Sequence, residues 1–196
     1  MAVTPNYSWP VPVNTDYVKD GAEAIKDLGD AIDATVFGLP SGAVVQVLSS
    51  VNTSTFSTTN SATWTDVTSL SVTITPSATT SKIRLTAIVN FGHSANVFTA
   101  ARFMRDATAI GIGDDVGYRI PVTSGNYQGN AGTTQSLIQV PLNFIDSPAS
   151  ISAITYKVQV YQNEAGTLYV NRNTGDANNG NNMRAISTLI VEEIGV

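Results

Sequence analysis

The chain has 196 residues, a formal net charge of −5 and 13% charged residues, well below the roughly 25% of an average soluble domain. It contains no cysteine and a single histidine, which excludes a disulfide framework, a thiolate metal site, a cysteine nucleophile and a histidine-cluster metal site. The ten basic residues are scattered and no apolar run approaches membrane-spanning length, so we expect neither nucleic-acid binding nor membrane insertion.

Residues 1–14 predict an extended leader rather than an independently folded element. Three prolines, each without an amide donor and with φ fixed near −65°, favour a polyproline-like strip. Disordered termini are usually poor in aromatic residues, whereas this strip presents a tyrosine and a tryptophan. We therefore predict that Tyr7, Trp9, Pro10 and Pro12 anchor the chain in a partner protein. A disordered terminus is the alternative.

Residues 15–38 predict one short helix with an apolar seam. Val18, Ile25 and Ile32 recur at heptad spacing, and Leu28 takes the other core position of the heptad. The helix proper, about residues 16–35, is shorter than three heptads and contains two glycines, so it is not stable alone and other protein surfaces must cover the seam. We predict that three copies pack through these seams. Packing of the helix on the chain's own β domain is the alternative.

From residue 39 to the end, apolar residues alternate with Thr, Ser and Asn at a period of two, which is typical of strands. Turn-forming residues separate the strands, and Asn-Glu-Ala-Gly at 163–166 predicts a hairpin. The predicted strands cover residues 43–51, 70–74, 83–91, 98–105, 109–112, 134–140, 156–162, 167–171 and 184–193. The fold class is therefore mainly β, with an antiparallel β-sandwich head of jelly-roll type over residues 39–196.

No set of residues in the sequence forms a recognisable catalytic constellation. His93 lies at a predicted strand end without a second histidine, and we expect it in a loop or an interface. Asp114 and Asp115 are adjacent on an extended segment and point to opposite faces, so they do not form an acid–base pair. We expect no enzymatic activity, no cofactor and no metal.

A Gly/Ser-rich segment of about 20 residues, 117–135, predicts a long loop, and long loops in compact domains are often functional. Its aromatic rings lie among neutral amides, a combination that suits the faces and hydroxyls of carbohydrates. The candidate receptor-facing residues are Tyr118, Asn126, Tyr127, Gln128 and Asn130. An ordinary exposed loop is the alternative.

Two parts of the chain resemble proteins of tailed bacteriophages. YSWPVPVNTDYVKDGA at residues 7–22, continued by AIKDLGDAID at 24–33, resembles the N-terminal segment of tail-fibre and related virion proteins. The β portion is similar to the modules of marine and cyanobacterial phage fibres. The matching head segments are residues 69–76, 81–83, 155–158, 169–172 and 187–192.

The resemblance implies a virion protein that is usually a homotrimer, with its N-terminus held by another phage structural protein. Residues 1–14 would be the virion-anchoring leader, residues 15–38 a trimeric helix, and residues 39–196 the projecting head. The function it implies is a short tail fibre that attaches to the host surface through a glycan. The alternative is a capsid decoration or cement fibre without a receptor role, which the lack of shaft repeats favours.

Overall fold

The computed structural model describes residues 2–11, 13, 17, 20–37, 42–128 and 136–195. It divides into two compact units, Met1–Ala43 and Val44–Val196. The described elements are β1 (Ala2–Val3), β2 (Pro10–Val11), α1 (Gly21–Phe37), β3 (Val44–Asn52), β4 (Phe56–Thr58), β5 (Thr65–Ile74), β6 (Lys82–His93), β7 (Val97–Arg105), β8 (Thr108–Ile110), β9 (Ser124–Gln128), β10 (Ile138–Asp146), β11 (Ile154–Gln162), β12 (Leu168–Val170) and β13 (Ser187–Ile194). The mainly β fold class is confirmed.

The N-terminal leader is a short hairpin, which corrects the extended strip predicted from its prolines. Strands β1 and β2 pair antiparallel. Between them, the Thr4 N–H donates to the Trp9 carbonyl at 2.9 Å, and the Ser8 N–H donates to the Thr4 carbonyl at 3.0 Å. Ser8 takes a left-handed φ of 55°, which reverses the chain. This single residue and the two hydrogen bonds outweigh the extended preference of the prolines.

The helix α1 begins several residues later than predicted. Residues 14–16, 18 and 19 lie outside the described residues, and the Asp20 N–H donates to the Tyr17 carbonyl just before the helix. Ala24, Leu28 and Ala31 share one shielded face at the four- and three-residue spacing of a helix. Over the described part of the chain, no helix has both the length and the hydropathy to cross a membrane.

The head consists of two sheets in which every described strand pair is antiparallel. In the six-stranded sheet, β6 pairs with β10 along one edge and with β13 and then β12 along the other, while β3 and β4 extend it outward. In the five-stranded sheet, β11 lies between β5 and β7, and β8 and β9 follow each other along the outer edge of β7. The predicted sandwich of antiparallel sheets is confirmed.

The core lies between the inward faces of the two sheets. Along β6 the inward positions are apolar and exposed by 1% or less: Ile83, Leu85, Ala87, Val89 and Phe91. The largest side chains that complete the same cluster are Leu70, Ile74, Phe103, Leu142, Tyr156, Leu168 and Leu189. The period-two pattern thus predicts which side chains of β6 are buried, because successive side chains of a strand point to opposite faces.

The prediction of a hairpin at residues 163–166 is wrong. The strand before it, β11, belongs to the five-stranded sheet, whereas the strand after it, β12, pairs with β6 and β4 in the six-stranded sheet. The connection therefore crosses from one sheet to the other. Gly166 takes a φ of 146°, which a side chain would hinder, and a Cβ there would lie 2.6 Å from the His93 ring.

Buried polar groups connect the two sheets at both ends of the sandwich. At one end the Tyr156 hydroxyl donates to the Asp146 carboxylate at 2.7 Å, and Arg105 donates to both carboxylate oxygens at 3.0 and 3.1 Å. Burial and this hydrogen bond raise the pKa of Tyr156 well above its ordinary value. At the other end His93 Nε2 hydrogen-bonds the Gln162 amide oxygen. His93 is thus buried, not in a loop or an interface.

Candidate functional site

A cavity of about 660 Å³ opens on the outward side of the five-stranded sheet, within the size range of small-molecule sites. Strands β7 and β9 supply its floor and one wall. The end of β11 and the loop around residues 119–122 supply the rest. Its surface is mostly apolar, with a few polar groups among the lining residues.

Small residues at paired positions form the floor of the cavity. Ala100 on β7 lies opposite Gly125 on β9 in the antiparallel register. A Cβ added at Gly125 would lie 2.9 Å from the Thr99 carbonyl oxygen and 3.2 Å from the Ala100 Cβ. The close approach of the two strands therefore requires glycine at this position, and the missing side chain leaves the space open above the floor.

Two exposed aromatic rings form one wall. Phe98 on β7 and Tyr127 on β9 are directly opposite each other across the strand pair. Their ring centroids lie 4.9 Å apart with an interplanar angle of 50°. The side chains are 60% and 54% exposed. Two adjacent aromatic rings left this accessible provide apolar faces that a ligand can cover.

The opposite wall is held rigidly by its neighbours. Tyr161 is 8% exposed, and its ring lies 5.2 Å from that of Trp64. The Arg102 guanidinium stacks on Trp64 at 4.1 Å from the ring centroid, and Gln159 accepts two hydrogen bonds from Arg102 at 2.9 and 2.7 Å. This cation–π stack fixes the wall before any ligand binds.

Of the polar side chains at the cavity, the two asparagines are bound to the protein or buried, which leaves Arg119 as the accessible charged donor. Asn163 is committed to the backbone, since its side-chain oxygen accepts from the Phe98 N–H at 2.7 Å. The Asn126 oxygen accepts from the Thr99 hydroxyl, and its Nδ2 is buried without a hydrogen-bond partner among the described residues. Arg119 donates to the Val116 carbonyl at 3.3 Å and forms no ion pair within the described ranges.

The structure divides the predicted receptor-facing residues. Asn126 and Tyr127 line the cavity from β9, and Gln128 is the last residue of that strand. Tyr118 is fully exposed and is not among the lining residues, and Asn130 lies outside the described residues.

Sequence reasoning missed several lining residues, of which Phe98, Arg119 and Asn163 contribute most to the chemistry of the cavity. One signal for Phe98 was present. It occupies the outward position between Val97 and Thr99, where a large aromatic residue is exposed unless something covers it.

The predicted anchor residues lie in or beside the N-terminal hairpin. The Tyr7 ring, 64% exposed, stacks on Trp9 with centroids 5.1 Å apart and an interplanar angle of 20°. Trp9 donates its Nε1–H to the Thr35 hydroxyl on α1 at 2.9 Å, so its polar group is bound within its own unit. Pro10 begins β2, and Pro12 lies outside the described residues. The anchoring role of the four residues stays a prediction.

The predicted helix seam is split between two faces. Ile25 is 68% exposed and Ile32 is 36% exposed, whereas Leu28 is half-buried on the shielded side of α1. Val18 lies outside the described residues. Ile25 and Ile32 therefore form an exposed apolar stripe, and the predicted trimeric packing of this seam stays a prediction.

In the described part of the chain, no three His, Asp or Glu side chains are grouped so that they would hold a metal ion.

No protein-family model matches this sequence, and neither does any curated protein. Among solved structures, the chain is similar to one of the infectious bursal disease virus Gx strain, with 16% identity and a TM-score of 0.38. It is also similar to T=1 particles derived from infectious bursal virus, with 14% identity and a TM-score of 0.39. The matches cover 79% of this chain but only 39% and 37% of those chains.

Proposed function

We propose that this protein is a short homotrimeric virion fibre of a tailed bacteriophage. Its N-terminal unit is held by a structural protein of the particle, and its β-sandwich head projects and attaches to the host surface. The phage-like pattern of residues 7–33 and the division into a small N-terminal unit and a larger head support this proposal.

The observation that carries the proposal is the lack of a core in the N-terminal unit. Among the described residues of Met1–Ala43, Ala24 is the one buried apolar residue. A unit this short and this poorly buried does not hold its structure without help, since most of its apolar surface still faces water. Protein partners that cover this surface would stabilise it.

Two exposed features of the N-terminal unit would serve two different partners. Ile25 and Ile32 lie on one stripe of α1 and suit packing against the same stripe of other copies. Tyr7 projects from the hairpin and suits a pocket on the particle. Three identical chains would multiply a modest contact at each hairpin into firm attachment.

The head also carries an apolar surface that a second and third copy would cover. On the outward face of the six-stranded sheet, Val45, Val47 and Val51 of β3 are each more than half exposed. Ile145 on β10 is 53% exposed on the same face, and Ile88 contributes a half-buried side chain between them. Exposed apolar residues gathered on one sheet face are typical of subunit contacts.

The test is the loading of particles with a Tyr7→Ala variant. Removing an exposed aromatic ring that is buried on docking should lower the number of fibres per particle by about tenfold or more. Fibre copies per particle are measured by quantitative protein gels of purified virions. Tyr118→Ala removes a still more exposed tyrosine from the head and should leave the copy number unchanged.

Unchanged occupancy of the Tyr7→Ala variant would contradict anchoring through the hairpin. Cryo-microscopy of the same virions places the protein on the particle. Density at the tail agrees with a fibre that attaches to hosts, whereas density at capsid lattice positions identifies a decoration protein instead.

A further inference from the structure

We infer that the cavity beside Phe98 and Tyr127 binds an acidic sugar unit of a host-surface glycan. This inference rests on the proposed attachment role and names the class of ligand and the residues that would bind it. Three features of the cavity support it: the apolar wall, the hydrogen-bond donors without a partner in the described part of the chain, and the local charge.

The aromatic wall selects a flat ligand with an apolar face. Phe98 and Tyr127 are adjacent, tilted and more than half exposed, so their rings offer a continuous apolar surface about two rings wide. A pyranose chair has such a face, because the axial C–H groups of alternate carbons lie together on one side while most of its hydroxyls lie around the rim. Covering the two rings with this face removes apolar surface from water on both partners.

The polar groups select a ligand rich in hydrogen-bond acceptors. Arg119 lines the cavity, and most of its N–H groups are uncommitted among the described residues, since its one hydrogen bond there is to the Val116 carbonyl. The oxygen atoms of Asn126 and Asn163 already accept hydrogen bonds from the protein. Sugar hydroxyl and carboxylate oxygens supply the acceptors that these donors lack.

The local charge favours an acidic sugar over a neutral one. Arg119 is the single charged side chain among the described residues that line the cavity, and no Asp or Glu lines it there. The chain as a whole carries a net charge of −5, so the positive lining is a local exception to the charge of the molecule. A guanidinium binds a carboxylate through paired N–H groups, which a neutral hydroxyl cannot match.

The test is calorimetric titration of the full chain with a tetrasaccharide of α-1,4-linked galacturonic acid and with its methyl ester. The two probes have the same ring and linkage and differ in charge. We expect the acid to bind with a Kd on the order of millimolar per site, about tenfold or more tighter than the ester, and to weaken as salt increases.

Three variants assign the binding to the cavity. Arg119→Ala should abolish the preference for the acid over the ester, while Tyr127→Ala should weaken the binding of both probes by about tenfold. Tyr118→Ala, outside the lining, should leave both affinities unchanged. Each variant should unfold at the same temperature as the parent protein. A loss of binding is then not caused by a loss of fold.

Absence of binding, or equal binding of acid and ester, overturns the inference. Acid binding that survives both Arg119→Ala and Tyr127→Ala places it elsewhere and overturns the inference as well. The particle-loading experiment does not depend on the cavity. Failure of sugar binding with normal loading therefore refutes this site alone, whereas failure of loading refutes the fibre proposal.

Discussion

At the scale of single residues, Glu193 shows how a buried carboxylate joins distant parts of the head. Its side chain is fully buried at the end of β13. It accepts hydrogen bonds from the Ser77 backbone and hydroxyl, from the Ser81 hydroxyl and from the Gln46 amide at 2.5 to 2.7 Å. Burial alone raises the pKa of Glu193, but these donors favour the charged form more strongly and lower the pKa to about 2.

This lowered pKa predicts how the stability of the head depends on pH. Because the folded-state pKa lies below the ordinary 4.5, the contribution of Glu193 is fully present above about pH 4.5 and is lost as the pH falls toward 2. Glu193→Gln should therefore lower the free energy of unfolding by about 1–3 kcal/mol at neutral pH and by much less near pH 2. Urea unfolding at several pH values measures the difference.

A neighbouring residue supplies the matched control. Glu192 lies next to Glu193 on β13 but faces outward and pairs with Arg84 at 2.6 Å, with the arginine and glutamate side chains 49% and 16% exposed. Glu192→Gln should change the free energy of unfolding by less than about 1 kcal/mol, since ion pairs that reach the surface contribute little. Equal effects of the two substitutions would contradict the structural role of the Glu193 hydrogen bonds.

At the scale of elements, the sequence predicts strands better than it predicts their partners. The alternating run of β6 follows from the side-chain period and is observed, and the strands predicted at 98–105 and 109–112 correspond to β7 and β8. The strand β9 was missed because Ser-Gly-Asn-Tyr-Gln has the composition of a loop and becomes a strand by pairing with β7. A local sequence pattern does not reveal such a tertiary effect.

The sequence predicted neither the crossing between sheets at residues 163–166 nor the cavity, and the reason is the same for both. Turn residues look alike whether they join paired strands or carry the chain between sheets. Phe98 and Asn163 are 65 positions apart, and only the pairing of β7 with β11 brings them to one site. The composition of the 117–135 segment indicated Asn126 and Tyr127, but apart from the outward position of Phe98 the sequence did not indicate their neighbours on other strands.

Glycine at one point of β6 permits the Asn-rich loop between β12 and β13, residues 171–186, to lie against the sheet. A Cβ added at Gly92 would lie 2.4 Å from the Arg172 carbonyl oxygen and 2.9 Å from the Asn173 Cα. Both atoms belong to the backbone, so the loop would have to move as a unit. Asn171 and Asn173 in that loop are fully buried: Asn171 donates to the Asn52 carbonyl at the end of β3, and Asn173 accepts from the Met183 N–H within the loop.

Gly92→Ala should accordingly destabilise the head by about 1–3 kcal/mol, the usual effect of overpacking a close contact. Gly113→Ala is the control, because a Cβ there would meet nothing within 4 Å. The free energy of unfolding of both variants is measured in urea. If Gly92→Ala is as stable as Gly113→Ala, the loop does not pack against β6 as described.

At the scale of the whole molecule, each unit carries its own exposed apolar surface. In the N-terminal unit this surface is the Ile25 and Ile32 stripe of α1, and in the head it is the outward face around Val47 and Val51. The remaining surface is rich in neutral polar residues, and charged residues make up only 13% of the chain. Few charges oppose close approach of identical copies, so association depends on how well these apolar surfaces fit.

This dependence predicts the effect of a single charge on the size of the assembly. Ile25→Asp places a carboxylate in the middle of the exposed stripe, where packing of three helices would have to bury it. The variant should sediment with the mass of one chain, whereas the parent protein should sediment as three. Ala34→Asp adds the same charge about 180° away around α1, at a residue that is also exposed, and should preserve the trimer.

Thermal unfolding distinguishes loss of assembly from loss of fold. The head of the Ile25→Asp variant should keep its own unfolding transition, because its core is built from residues beyond Val44. If both aspartate variants remain trimeric, the Ile25 and Ile32 stripe does not join the copies, and the apolar face of β3 is the surface to test next. If the parent protein sediments as a single chain, the proposed trimer itself is wrong.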